Sequence, residues 1–447
     1  MLYLMRIQLS DHFTYGRIFR FVMPPICMML FTSVYGIVDG LFVSNFVGKT
    51  PFAAINLIMP YLMTLCAFGY MFGAGGSAII GKTLGEQKPD KANEYFSMLV
   101  YVAIALGIGL TIIGIAFMRP VAMFFGAEGE LLEDCVLYGN ISMISMTPYL
   151  LMSMFESLFI TAEKPKLGFW VNVIAGSIHI LLDAVFIIGF HWGLLGAATA
   201  TVISEFFGGS IPLFYFFRRN DSLLRLGKTH FYGRVLGKTC VNGLSEMAST
   251  LSVSFVSMLF NFQLMRLTGE NGVAAYGVMM YVNFIFMAVF FGYSMGIAPV
   301  ISYHFGAKNH AELKNLFTKS IRIMALADFA LTALALIISV PICKLFVGYD
   351  PALYALTLHG YIIVAFSFLM IGYTYFGSYF FTALNNGVVS AIISLLRLFV
   401  FRSAAVLTLP IFFGTDGVWL SMVSAELLST IIVTLFLYAY KDRYHYL

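Results

Sequence analysis

Charge is what this sequence has least of. Only 11% of its 447 residues are Asp, Glu, Lys or Arg, where a soluble domain carries about a quarter. With 60% hydrophobic residues and a mean hydropathy of +0.88, the chain has too little polar surface to cover a water-facing exterior, which excludes an ordinary cytosolic enzyme. Basic tracts are also scarce: a net charge of +4 spread over the whole chain argues against a nucleic-acid partner. The five cysteines, Cys27, Cys66, Cys135, Cys240 and Cys343, are odd in number, widely spaced and free of CxxC pairs, so they imply neither a disulfide framework nor a zinc site. The stretch GKTLGE at 81–86 lacks the GxxxxGK[ST] spacing and a preceding strand, and neither HExxH nor GxSxG occurs. ATP hydrolysis and membrane-embedded hydrolysis are therefore rejected, and no cofactor is expected. The N-terminus carries no small-residue cleavage site, so its first apolar stretch reads as a retained span.

Long apolar runs are what is there. A bilayer-crossing helix needs about 20 mostly apolar residues, and twelve such runs are predicted, at 18–46, 52–80, 94–119, 132–160, 168–190, 194–217, 238–265, 273–303, 316–346, 352–381, 388–413 and 416–440. The fold class is an all-α membrane protein of twelve transmembrane helices. One constant shift of 221 residues superposes the two halves: Gly48 falls on Gly269, Gly75 on Gly296, Gly85 on Gly306, Pro120 on Pro341, Gly139 on Gly360 and Glu205 on Glu426. Six spans per repeat is an even number, so the repeats are parallel and related by an axis along the membrane normal. The expected organisation is an N-terminal six-helix lobe over 1–217, a linker over 218–237 and a C-terminal six-helix lobe over 238–447. Most of the 26 Lys and Arg fall on the side of the termini and linker, against Lys49, Arg119, Arg266 and Lys344 in the opposite loops. Both termini are then expected to be cytoplasmic.

Ionisable groups inside the bilayer are costly and need a reason. Asp39, Glu156, Asp183, Glu205, Glu246, Asp328 and Glu426 fall within spans, against only Arg397 and Arg402. In span 5, Asn172, Gly176, His179 and Asp183 recur at steps of four, three and four, which puts them on one helix face. In span 7, Asn242, Glu246, Thr250, Ser257 and Asn261 share roughly one face and read as a water-lined wall. Span 1 brings Tyr35 and Asp39 together after Pro24 and Pro25, where a bend is expected. Asp39 and Asp183 read either as interhelical hydrogen-bond partners or as coupling acids, and two acids of one lobe on glycine-flanked polar faces favour coupling. His179 either relays a proton or donates a hydrogen bond to Asp183. Glu205 and Glu426, being repeat-equivalent, read as structural or as cavity groups, one of them pairing with Arg397. Glu156 and Glu246 are candidate cavity acids, and Asp328, with little polar company in its span, is peripheral. The 25 Met and 45 Phe suit an adaptable cavity or an ordinary lipid-facing surface.

These spans, together with VYGIVDGLFVSNFVGKTPFAAINL, HILLDAVFIIGFHWGLLGAATATVISE and GVWLSMVSAE, resemble the multidrug and toxic compound extrusion (MATE) family over essentially the whole chain. The resemblance implies two lobes forming a V and export of cationic or amphipathic organic compounds driven by inward proton or sodium movement. Asp39 and Asp183 then match the coupling acids of helices 1 and 5, near which a sodium ion would sit, and Glu156 matches an acid of span 4 in some drug exporters. The chain departs from the family in having His179 where Asn is usual, and in opening span 7 with Gly243, Ser245 and Glu246 instead of Gly-x-Pro. The expectation is a monomeric alternating-access antiporter of the cell membrane with small organic cations as its substrates. The alternative within the superfamily, a flippase for lipids or lipid-linked oligosaccharides, would call for cations in the cavity.

Overall fold

In the computed structural model, residues 7–447 are described, apart from the side chain of Leu41; the first six residues, assigned from the sequence to the start of the N-terminal lobe, lie outside them. Every regular element among the described residues is helical, as hydrocarbon demands of a chain whose backbone groups find no water. The N-terminal lobe comprises α1 (Tyr15–Phe42), α2 (Lys49–Gly85), α3 (Pro89–Phe124), α4 (Gly129–Ile144), α5 (Met146–Thr161), α6 (Pro165–Asp183) and α7 (Gly193–Phe217). The C-terminal lobe repeats the order with α8 (Gly233–Thr268), α9 (Glu270–Gly306), α10 (His310–Val347), α11 (Pro351–Ala365), α12 (Phe368–Ala383), α13 (Gly387–Ser394), α14 (Arg402–Phe413) and α15 (Thr415–Tyr444). Ten of these spans are long and apolar enough to cross a membrane by themselves, and the pairs α4/α5 and α11/α12 complete twelve if each counts as one span.

Those two pairs depart from the sequence reading, which drew 132–160 and 352–381 as unbroken. They bend by 60° and 47°. A buried acid lies near each break. Asp328 on α10 accepts from the N–H groups of Gly372 (2.7 Å) and Tyr373 (3.2 Å) in the second turn of α12. Gly372 is required there, because a Cβ would stand 2.5 Å from Asp328 Oδ1. Expected to be peripheral, Asp328 is instead a buried acceptor that ties α10 to α12; its partners belong to another helix, so no spacing within its own span could reveal them. At the other break, Ser145 sits between α4 and α5 and donates from its hydroxyl to Glu205 on α7 (2.5 Å). Helix α1, in contrast, continues through Pro24 and Pro25.

The lobes meet across glycines near the face that carries the chain ends. A Cβ on Gly85 would lie 2.0 Å from the Tyr303 carbonyl oxygen, and one on Gly306 would lie 2.1 Å from that of Lys82. These are the same contact twice, since the repeat shift carries Gly85 to Gly306 and Lys82 to Tyr303. Gly75 likewise packs on Thr239 and Gly243, and its equivalent Gly296 on Val22 and Pro25. The pseudo-twofold axis therefore passes between α2 and α9 at a backbone-to-backbone contact, the kind small residues permit. Residues preceding α1 strap the same face. Leu9 N–H donates to Glu163 at 2.8 Å, while Phe13 N–H donates to Glu312 at 2.8 Å and the Lys319 ammonium to the Phe13 carbonyl at 2.7 Å. The segment between α7 and α8 lies along the start of α3, with Arg225 N–H on Asn93 (2.6 Å) and Gly227 N–H on Ser97 (3.0 Å).

Gly85→Val and Gly306→Val should each destabilise the protein by about 1–3 kcal/mol through overpacking against backbone. Gly109→Ala, whose added carbon meets nothing within 4 Å, should leave stability unchanged or slightly improved. Thermal midpoints in detergent check this, and indistinguishable midpoints for the three variants would refute the tight contact.

Candidate functional site

A cavity of about 210 Å³ opens inside the N-terminal lobe. Tyr35 and Asp39 enter it from the late turns of α1, Met59 and Met63 from the early turns of α2, Tyr138 from α4 and Tyr149 from α5. His179 on α6 and Thr201 and Glu205 on α7 complete its polar side. Because α1 leads away from the face with the chain ends and α2 returns to it, these positions lie in the half of the lobe remote from the glycine contacts. Flexible thioethers and flat rings give the wall an adaptable apolar surface.

Asp39, His179 and Asp183 converge at its edge. His179 Nε2 lies 3.6 Å from Asp39 Oδ1 and 3.5 Å from Asp183 Oδ2, and the Thr201 hydroxyl is 3.2 Å from the same nitrogen. Asp183 is fully buried, and its carboxyl receives no hydrogen bond from outside this cluster; it lies within hydrogen-bonding reach of the Asp39 carboxyl. Tyr35 stacks edge-on against the imidazole with centroids 6.0 Å apart. Gly176 makes room for this, since a Cβ there would meet the Phe31 ring at 2.6 Å and the Tyr35 ring at 3.1 Å. Both acid-bearing helices widen into π-helical turns just beyond the acids, at Val43–Val47 and Ala184–Gly189, an irregularity that often accompanies functional sites.

The remaining residues singled out from the sequence divide between this cavity and other environments. Glu205 is in the cavity, held by the Ser145 hydroxyl. Glu426, its repeat equivalent, is not: it is fully buried and receives Arg397 at 3.2 Å, Arg402 at 2.8 Å and the Thr374 hydroxyl at 2.9 Å. Arg397 also lies over the Tyr375 ring at 3.8 Å and sits within the third π-helical turn, Leu395–Phe401. Asn172 shares the α6 face of His179 but donates to Gly168 O and Met28 Sδ, away from the acids. Glu156 is buried in the middle of α5, outside the cavity wall. Glu246 is buried on α8 beside Tyr379.

The expected water-lined face of span 7 does not form one wall. Asn242 is a cross-tie, donating to Asn385 (3.0 Å) and accepting from Gly387 N–H (2.9 Å) at the start of α13. The Thr250 hydroxyl turns back onto the Glu246 carbonyl at 3.0 Å, and Ser257 is part-buried near Tyr276. Residues missed from the sequence are Tyr138, Tyr149, Met59 and Met63; helical period alone marked none of them, because a tyrosine or methionine on an apolar face looks like core. Thr201 lies within the HILLDAVFIIGFHWGLLGAATATVISE stretch, which does not single it out.

Two parallel six-helix repeats that bury acids beside an internal cavity define a multi-pass membrane transporter and not an enzyme. The MatE family model matches residues 24–185 and 247–405, and the chain belongs to that family. It is 24% identical over 432 residues to the multidrug export protein MepA of Staphylococcus haemolyticus (strain JCSC1435), covering 95% of this chain and 93% of that relative. Its fold superposes on a crystal structure of MATE in complex with MaL6 with a TM-score of 0.91 at 20% identity, covering 95% of this chain and 96% of that one. The outward-facing conformation of a multidrug resistance MATE family transporter of the MOP superfamily matches with a TM-score of 0.90 at 20% identity, over 95% of each chain.

The two equivalent glutamates should respond differently to neutralisation. Glu426→Gln leaves two guanidinium groups in the membrane interior without a carboxylate and should cost about 3–5 kcal/mol. Glu205→Gln, whose described partner is one hydroxyl, should cost about 1 kcal/mol or less. Thermal unfolding in detergent measures both, and equal losses would contradict the contrast.

Proposed function

We propose that this protein is a secondary active exporter of cationic or amphipathic organic compounds, working by alternating access in exchange for H+ or Na+. The observation that carries the reading is the cavity in which Asp39 and Glu205 face a wall of Tyr and Met side chains, with Asp39 also in reach of His179. An organic cation finds there both an adaptable apolar surface and negative charge. Export of several drugs is what the name of the Staphylococcus haemolyticus relative describes, which supports the same substrate class.

Coupling follows from competition. A carboxyl group withdrawn from water holds its proton and gives it up when solvated or when a cation arrives, so ion and cargo exclude one another from the same acids. Each ligand then favours a different arrangement of the lobes, and the rocking of one lobe against the other exposes the site to alternate sides. The moving bodies are residues 1–217 and 238–447, joined by 218–237. The termini face the cytoplasm, the protein resides in the cell membrane, and it acts as a monomer. Asp39, Asp183, His179, Tyr35 and Asn172 serve coupling. Glu156, Glu205, Glu246, Asn242, Thr250, Ser257, Glu426 and Arg397 shape or support the substrate path. Against a flippase for pyrophosphate-linked lipids stands the pairing of both Arg397 and Arg402 with Glu426, which leaves no described cation on the cavity wall.

In vesicles with an imposed pH or sodium gradient, the wild type should move a fluorescent organic cation only when one of the gradients is present. Asp39→Asn and Asp183→Asn should each lower that rate at least about ten-fold, the size of effect expected when about 1.4 kcal/mol of coupling is lost. Gradient-independent movement, or full activity in both variants, would refute the antiport reading.

A further inference from the structure

The arrangement of His179 between two acids has a feature that proton or sodium exchange does not require. Its Nε2 lies 3.5 and 3.6 Å from the two carboxylate oxygens, longer than the 2.7–3.2 Å typical of about every N–H···O bond. It is close to the separation of neighbouring ligands around a single ion: bonds of about 2.0–2.1 Å set the edge of a tetrahedron at about 3.3–3.4 Å. One nitrogen and one oxygen from each acid all lie within 4.8 Å of one another. Two of the three ligands stand four residues apart on α6, the spacing that turns two side chains of one helix to a common ion.

Donor chemistry narrows the ion. Oxygen-only sites suit Na+, Mg2+ and Ca2+, whereas an imidazole nitrogen suits zinc, nickel, copper and iron. Charge narrows it further, because two ionised carboxylates and a neutral imidazole carry −2, which a divalent ion cancels. Among the described residues the in-membrane bases Arg397 and Arg402 are committed to Glu426, so no base neutralises the pair. Asp183 is fully buried, and its carboxyl is met by Asp39 and His179 with no donor from outside the cluster, so two acids share one water-poor site, a costly condition that a bound cation relieves. Asp39 and His179 line the cavity and offer an entry path, and the Thr201 hydroxyl stands at 3.2 Å from Nε2 beside the fourth position.

We propose that Asp39, His179 and Asp183 chelate a divalent first-row transition-metal ion of the zinc class, and that occupation of this site arrests transport. The second half rests on the reading of these acids as the coupling centre; the first does not. With the metal bound, neither carboxylate is free to exchange a proton or a sodium ion or to meet an organic cation. The lobes then lose the competition that drives them between states.

Cobalt(II) titration of the purified full-length protein in detergent tests the first half, with no substrate or gradient present. Wild type should bind one equivalent with the visible d–d bands of a low-symmetry site, and Zn2+ should abolish those bands. His179→Asn and Asp183→Asn should weaken binding at least about a hundred-fold, with thermal midpoints in metal-free buffer confirming that both fold. His179→Cys should restore binding and add a thiolate-to-cobalt charge-transfer band. His359→Asn, which removes an exposed His–Asp pair, should change nothing. Absence of the bands in wild type, or their persistence in both His179→Asn and Asp183→Asn, would overturn the site. In vesicles, Zn2+ should slow dye export by wild type at least about ten-fold; export indifferent to Zn2+ at concentrations that saturate the cobalt site would overturn the arrest. Failure of gradient coupling in metal-free vesicles would refute the antiport reading and leave the chelate standing.

Discussion

An acid inside a hydrocarbon layer must be protonated, paired or wetted, and much of this fold is the distribution of those three solutions. Glu426 is paired, enclosed by two arginines and a threonine hydroxyl. Asp328 accepts from two backbone N–H groups of the neighbouring helix α12. Asp39 and Glu205 face a cavity. Asp183 is fully buried against Asp39 and His179, with no donor from outside that cluster, so its charge state is the one most dependent on an exchangeable partner. A permanent ion pair would stabilise the same carboxylate and make it useless for exchange. The contrast between Glu426 and Asp183 is the physical difference between a structural acid and a working one.

The pseudo-symmetry shows how the same chain was free to specialise. Gly85 and Gly306 make contacts with the opposite repeat that the pseudo-twofold axis relates, and a backbone contact of that kind tolerates no divergence on either side. Away from the axis the repeats have parted. Glu205 and Glu426 began at equivalent positions, yet one looks into a cavity and the other closes an ion cluster. The N-terminal lobe lacks a partner for Asp328, because the equivalent position is Gly107, where the Thr147 side chain packs instead. Close packing at the axis, and the strap of residues before α1 against Glu163 and Glu312, gather the lobes at one face. The cavity lies toward the other.

Much of the fold was legible in the residues. Twelve apolar runs, a single repeat shift and the steps of four, three and four through Asn172, Gly176, His179 and Asp183 are local or periodic signals, and they survive in any apolar solvent. Less of the site was legible. Helical spacing says that two groups share a face but not what that face meets, so Asn172 and His179 looked equivalent until one turned to Met28 and the other to Asp39. The span 7 face failed for the same reason: Asn242 serves a loop of the other half of its lobe, and Thr250 serves its own helix. The break before Phe368 carries no proline or glycine, so nothing in composition marked it, whereas the break at Ser145 is followed by Pro148 in the first turn of α5, a helix-start signal inside an otherwise continuous apolar run.

Solvent and period, then, were determined by the sequence alone: a chain with so few charges must enter a membrane, must be helical there, and must repeat itself when its glycines recur at one shift. Partnership was decided only by tertiary structure. Which carboxylate meets an arginine, which meets backbone N–H groups of another helix and which is left to an exchangeable cation depends on contacts between helices far apart in the chain. Electrostatic energy in a low-dielectric interior is set by such distances to within an ångström, and a linear order of residues does not contain them.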